Sequence, residues 1–210
     1  GYYFFYKLAE NILDKPFDAF LNDKLYAPLG LQTMGYLPTE KGFLAEIAPT
    51  EDDNLFRKTL LRGTVHDQGA AMFGGVAGHA GLFSNALDLA VLMQMHLQLG
   101  QYGNQKYYEL NTIPAFTSQQ TEDNRRGMGW DKPIVGKDEG PTSRYASAST
   151  FGHSGFTGTA VWADPEQELI YVFLANRVYP NAENAKLIQW NIRTKIQDLI
   201  YESIWNFNKD

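Results

Sequence analysis

The feature that most constrains this chain lies near its C-terminal end. Two apolar runs, about Thr159–Ala163 and Glu168–Ala175, are joined by Asp164-Pro165-Glu166-Gln167, and a third run ends near His153. Asp and Pro at the start of the connection suit a type I turn, so the runs read as successive antiparallel strands. A helix is predicted over about Asn184–Trp205. Its positions Leu187, Ile188, Ile192, Ile196, Leu199, Ile200 and Ile204 make one broad apolar stripe. A sheet with an apolar face needs a cover, and a striped helix supplies one. The predicted architecture is therefore α/β (α+β): a small antiparallel sheet with the C-terminal helix packed across it, beside a helical region. At the end of the first strand, Phe151–Gly158 reads FGHSGFTG. Glycine weakens a strand and is tolerated where something approaches the backbone closely, which marks this stretch for attention.

The rest of the chain is organised around turns and caps. Tyr2–Leu13 places Tyr2, Phe5, Tyr6, Ala9, Ile12 and Leu13 on one helical face. Pro16 opens a second helix, about Phe17–Leu25, which ends at the turn containing Pro28 and Gly30. Gly35 to about Leu61 reads as a long, irregular surface excursion. Thr64 with Asp67 resembles a capping box for a short helix to about Phe73. A loop with Gly74, Gly75, Gly78 and Gly81 then surrounds His79. Ser84 is expected to cap a helix over Asn85–Leu99, stopped by Gly100. The expected layout is one partial domain over residues 1–210: 1–100 mainly helical, 101–150 loop-rich, and 151–210 strands and helix.

Composition narrows the function classes. With 44% hydrophobic residues in 210, the chain can bury a substantial core. A net charge of -6 with scattered lysines and arginines excludes a basic nucleic-acid footprint, so no nucleic acid partner is expected. The absence of cysteine excludes disulfides and thiol catalysis, and fits an oxidising compartment. No run is long enough to form a transmembrane helix. No basic leader marks a signal peptide. A chain that opens inside an amphipathic helix is expected to be a piece of something longer.

Several side chains are candidates for chemistry. Gly155 leaves room for a substrate carbonyl beside the strand, and the Phe156 backbone N–H is then a candidate oxyanion donor. His153 presents a hydrogen-bonding ring at the same place. Ser154 and His153 point to opposite faces as strand neighbours, which makes them a poor nucleophile–base pair. A Ser84–His79–Asp88 set competes with the simpler reading of Ser84 as a helix cap, which cap preferences favour. His66, Asp67, His79 and His153 lack metal-ligand spacing, so neither metal nor cofactor is expected. His79 is a second candidate within its glycine loop. Arg177 suits a carboxylate or a surface ion pair. His96 reads as a satisfied core histidine, and Trp130, Trp162 and Trp190 as core or cleft-wall aromatics.

Residues 151–177 resemble the third motif, and the strands after it, of the penicillin-recognising serine hydrolases: serine β-lactamases, DD-peptidases and their esterase relatives. His153-Ser154-Gly155 matches the His-x-Gly variant of that motif. Residues 1–34, ending PLGLQTM, are similar to the helical segment after the family's Tyr-x-Asn motif. GVAGHAGLFSNALDLAVLMQM resembles the family's glycine loop and helix, and GMGW its aromatic strand. The family nucleophile is the serine of Ser-x-x-Lys. SNAL, SASTF, SGFTG and SQQTE all lack the lysine, and no Tyr-x-Asn stands where the resemblance predicts one.

The resemblance implies the C-terminal part of a serine hydrolase that transfers an acyl group from an ester or amide. His153, Gly155 and Phe156 would stand in the catalytic wall, with Ser154, His79 and Arg177 toward the substrate. The implied substrate is a small molecule or peptidoglycan-like peptide in the intact parent, located in the periplasm or cell envelope. Some relatives are fused to family 3 glycoside hydrolases that cleave N-acetylglucosamine linkages. The expected partner is the missing N-terminal portion of the same chain. Without the helix that bears the nucleophile, an apolar trough and self-association are expected, and the 210 residues alone should be inactive. The competing expectations are a non-catalytic binding or accessory module attached to a glycoside hydrolase, and a free-standing esterase using Ser84 or Ser154.

Overall fold

A computed structural model describes residues 1–42, 47–135, 137 and 140–207. The chain forms two compact units: Gly1–Val91 with Asn176–Asn184, and Leu92–Ala175 with Ala185–Asp210.

In the first unit, helix α1 spans Tyr2–Leu13 and turns at Asp14, which adopts a left-handed φ of 49°. Pro16 precedes α2, Phe17–Leu21, which continues through one wider turn over Asn22–Tyr26. Of the apolar face predicted for α1, Tyr6 is buried, whereas Tyr2, Phe5 and Ile12 are exposed. Periodicity identified the helix but not what covers it. The core gathers Tyr6, Val65, Ala70 and Ala77, with Phe17 and Ala80 against them.

The predicted excursion over 35–61 includes residues 43–46, which lie outside the described residues. The rest is more ordered than expected. A helical turn over Pro38–Lys41 is followed by β1, Glu51–Asp53, paired antiparallel with β2, Thr59–Leu61. Asp53 explains this hairpin. Its carboxylate accepts the N–H groups of Leu55, Phe56 and Arg57 at 2.9–3.1 Å. Led by the bond from Phe56, these hold its pKa down at about 2. It also holds the Arg57 side chain, which donates to the Val65 and His66 carbonyls.

The two predicted caps are each displaced. Helix α3, Gln68–Met72, is capped by Asp67 itself, which accepts from Ala70 N–H at 2.7 Å. Asp67 is the N-cap rather than the acidic partner of Thr64. Helix α4, Ala86–Leu97, is capped by Asn85, whose side-chain oxygen accepts from Asp88 N–H at 2.8 Å. Ser84, one residue earlier, donates to the Asn85 carbonyl.

The second unit is built on a three-stranded antiparallel sheet in the order β5-β6-β7: Phe151–Ser154, Ala160–Asp164 and Leu169–Phe173. A short hairpin, β3 (Gln101–Tyr102) with β4 (Gln105–Lys106), and helix α5 (Thr112–Thr117) precede it in the loop-rich stretch. Register assigns the sheet's faces. Trp162 lies opposite Tyr171 and Ala160 opposite Phe173, and these pack with Ile200. The other face brings Phe151 and Ala163 against Met93, Leu97 and Trp130. Burying side chains of this size contributes about 2–3 kcal/mol each.

The C-terminal helix departs from its predicted stripe. It is broken into α6, Lys186–Gln189, and α7, Ile192–Phe207, by Asn191 with a φ of 54°. Asn tolerates that conformation. The inward positions of α7 include Gln197 and Tyr201, while Ile188 and Leu199 are exposed. Gln197 accepts from Thr142 at 2.7 Å and Ser143 N–H at 3.0 Å, and the Tyr201 hydroxyl donates to Asp164 at 2.7 Å. These buried polar groups sit in the core because each is matched. No helix among the described residues is long and apolar enough to cross a membrane.

Candidate functional site

Strand β5 carries two of the predicted residues, His153 and Ser154, and Gly155 and Phe156 follow directly after it. Its outer edge is read from its hydrogen bonds. Gly152 exchanges both main-chain bonds with Asp131, at 2.8 and 3.1 Å. Alternation then points the main-chain groups of Ser154 along the same edge. The strand ends at Ser154. Gly155 N–H donates to Thr159 at 2.8 Å and Gly158 N–H to Gly155 at 3.1 Å, which closes a hairpin loop. Phe156 stands at the first corner of this loop with its ring exposed.

The close approaches at the glycines come from within the unit. A Cβ on Gly152 would lie 2.1 Å from the Val161 carbonyl and 2.6 Å from the Trp162 ring. A Cβ on Gly155 would lie 2.4 Å from the Thr159 hydroxyl. The backbone is bare at these positions because the neighbouring strand's indole and the loop's own threonine occupy the space.

His153 is exposed and has two polar neighbours. Its Nδ1 is 2.9 Å from the Ser154 carbonyl and its Nε2 is 3.1 Å from Nη1 of Arg126. Arg126 also reaches the buried carboxylate of Asp131 at 3.4 Å, which Arg125 approaches at 2.8 Å. Lys132 is buried next to them and donates to the Thr150 carbonyl at 3.1 Å. Desolvation lowers its pKa. Two guanidinium groups thus share one carboxylate beside the strand, and the local balance is positive. Arg126 and Asp131 were missed by sequence reasoning. The available signal was the Arg-Arg pair ahead of GMGWD.

His79 and Arg177 belong to the first unit. His79 Nε2 lies 3.2 Å from Asp67, and the ring packs edge-on against Tyr3 with centroids 4.3 Å apart. Tyr3 donates to the same carboxylate oxygen at 3.3 Å. Its own pKa is raised by burial and by that negative charge. Arg177 donates to the Ala182 and Asn184 carbonyls at 3.3 and 3.1 Å, fastening the loop that follows it.

The set Ser84–His79–Asp88 does not assemble. Asp88 accepts from the Thr33 and Met34 N–H groups and the Thr33 hydroxyl at 2.7–3.1 Å, tying that turn to α4, while His79 is taken by Asp67. His66 pairs with Glu51 at 2.7 Å. His96 is buried and its Nδ1 donates to the Leu92 carbonyl at 2.8 Å; burial lowers its pKa and favours the neutral ring. Among the described residues, no three His, Asp or Glu side chains are grouped to hold a metal ion. A Tyr-x-Asn tripeptide does occur, at Tyr102-Gly103-Asn104, where it makes the β3–β4 turn.

Comparison with known proteins identifies the family and the fold. Residues 1–193 match the family described as Beta-lactamase. A Salmonella typhi protein provisionally named D-alanyl-D-alanine carboxypeptidase is 38% identical over 195 residues, covering 86% of this chain and 44% of its own length. A penicillin-binding protein homologue from Caulobacter crescentus superposes with a TM-score of 0.59 at 20% identity, over 81% of this chain and 49% of that one. A variant of simvastatin synthase from Aspergillus terreus reaches 0.62 at 14% identity, over 96% and 53%. The chain thus spans less than half the length of the curated relative. The structural likenesses show the β-lactamase/transpeptidase-like fold.

Proposed function

The chain belongs to the Beta-lactamase family of penicillin-recognising serine hydrolases, and on that premise we propose that it forms one wall of an acyl-transfer site in a cell-envelope protein of the DD-carboxypeptidase type. The observation that carries this reading is the 38% identity to a relative of that name, sustained over 86% of the chain. The nucleophile is a serine outside these residues. It attacks the carbonyl of the penultimate residue of a peptide, and its proton passes to the departing amine. Water then releases the acyl group as a free acid and restores the serine hydroxyl.

In this reading the end of β5 lies along the substrate. The Phe156 N–H, at the corner of the hairpin loop, is one oxyanion donor, and one such donor lowers the barrier by about 3–4 kcal/mol. His153 and Gly155 line the strand end, and the main-chain N–H of Ser154 points along the strand's outer edge. A peptidoglycan-like peptide ending in D-alanyl-D-alanine is the proposed substrate class.

The test compares the 210-residue chain with a longer protein that includes the residues preceding Gly1. The longer protein should release D-alanine from a D-alanyl-D-alanine peptide and show burst acylation by a chromogenic cephalosporin. The 210-residue chain should do neither. Acylation of the short chain would overturn the external nucleophile. Turnover of nitrophenyl esters by the longer protein, without D-alanine release, would replace the peptidase reading with an esterase one.

A further inference from the structure

The hydrogen bonds around His153 determine more than its position. A main-chain carbonyl can only accept, so the ring nitrogen 2.9 Å from the Ser154 oxygen, Nδ1, carries the proton. A guanidinium can only donate, so the nitrogen 3.1 Å from Arg126, Nε2, carries the lone pair. The two contacts together admit one form of the ring: neutral, protonated on Nδ1. Arg126 is held for this task from its other side, with Nη2 3.4 Å from the buried Asp131 carboxylate. Asp131 is held in turn by its two main-chain bonds to Gly152, the residue before His153. The strand, the carboxylate, the guanidinium and the imidazole close a ring of contacts.

We propose that Arg126 is a positioning residue that locks His153 as its neutral Nδ1–H tautomer. Both ring nitrogens are then committed. His153 lines the strand end as an oriented, uncharged ring rather than a proton-transfer group, and the fixed positive charge beside it belongs to Arg126. The consequence for acyl transfer rests on the function proposed above, whereas the tautomer does not.

The experiment is NMR of the chain with ring-15N-labelled histidine, His153 being assigned by loss of its signals in H153N. The wild type should show a protonated Nδ1 and an unprotonated Nε2. Arg126→Met should lose that pattern, shifting His153 toward the Nε2–H form. Arg126→Lys, which keeps a donor, should retain it in part. Amide spectra matching the wild type verify that each variant folds. Should Arg126→Met not fold, Arg126→Leu, which likewise offers no donor, serves in its place and should shift His153 toward the Nε2–H form in the same way. An Nε2–H ring in the wild type, or a pattern unchanged in the folded Met or Leu variant, would overturn the proposal. Failure here leaves the acyl-transfer reading intact, and absence of D-alanine release leaves the tautomer intact.

Discussion

The chain carries His-x-Gly twice, as His79-Ala80-Gly81 and as His153-Ser154-Gly155, and the two copies have opposite chemistry. His79 directs Nε2 at a carboxylate, Asp67, and must donate to it. His153 directs Nε2 at a guanidinium, Arg126, and must accept from it. The glycines differ as well. In the loop around His79, Gly74 and Gly75 have φ of 84° and 89°, a conformation that disfavours other residues. In β5, Gly152 is an extended residue kept bare by the Trp162 ring. A tripeptide therefore does not define a site. The groups that reach it from elsewhere in the chain do.

This contrast can be broken most directly at Gly152. Gly152→Val forces side-chain atoms into the Val161 carbonyl and the Trp162 ring, and should cost about 3 kcal/mol, as overpacking a filled core does. A denaturation midpoint close to wild type would show that β5 does not need its glycine for space. Asp67→Ala should cost about 1–2 kcal/mol, because it removes the cap of α3 and also the acceptor shared by His79 and Tyr3. The same denaturation series checks it, and an unchanged midpoint would mean that the His79 loop is held by other contacts. Gly74→Ala should cost about 1 kcal/mol, the price of a left-handed conformation, since no atom lies within 4 Å of the added carbon.

The smallest effect is a pH dependence. Burial raises the pKa of Asp67, but the bonds from Ala70 N–H, His79 and Tyr3 outweigh it, and the net shift is downward. A carboxyl lowered on folding stabilises the fold above its unfolded value and loses that contribution as the pH falls further. The His79–Tyr3 contact should therefore survive down to about pH 4 and loosen below it. Ring signals of Tyr3 and His79, followed between pH 6 and pH 2, roughly the range spanned by free and bonded carboxyls, report this. Loosening that begins well above pH 4 would reverse the sign assigned to Asp67.

The local elements were legible because their signals are local. Helix α1 begins and ends where its apolar spacing does, and the strands of the sheet follow the runs on either side of Asp164-Pro165. Caps were legible only to within a few residues. Asp67 and Asn85 compete with nearby Thr64 and Ser84 for the same role, and backbone geometry decides among them. The β1–β2 hairpin was hidden because Asp53 shapes it through three N–H bonds rather than through an apolar pattern. The inward face of α7 was misread because Gln197 and Tyr201 become core residues only when Ser143, Thr142 and Asp164 meet them.

The family and its strand–turn–strand–helix ending were determined by the order of residues alone, since apolar period and turn chemistry act over a few positions at a time. Which face of a helix is buried, which residue caps it, and whether a histidine donates or accepts were decided only by tertiary structure. Those properties depend on groups such as Arg126, 27 positions from His153, whose approach no short-range pattern encodes.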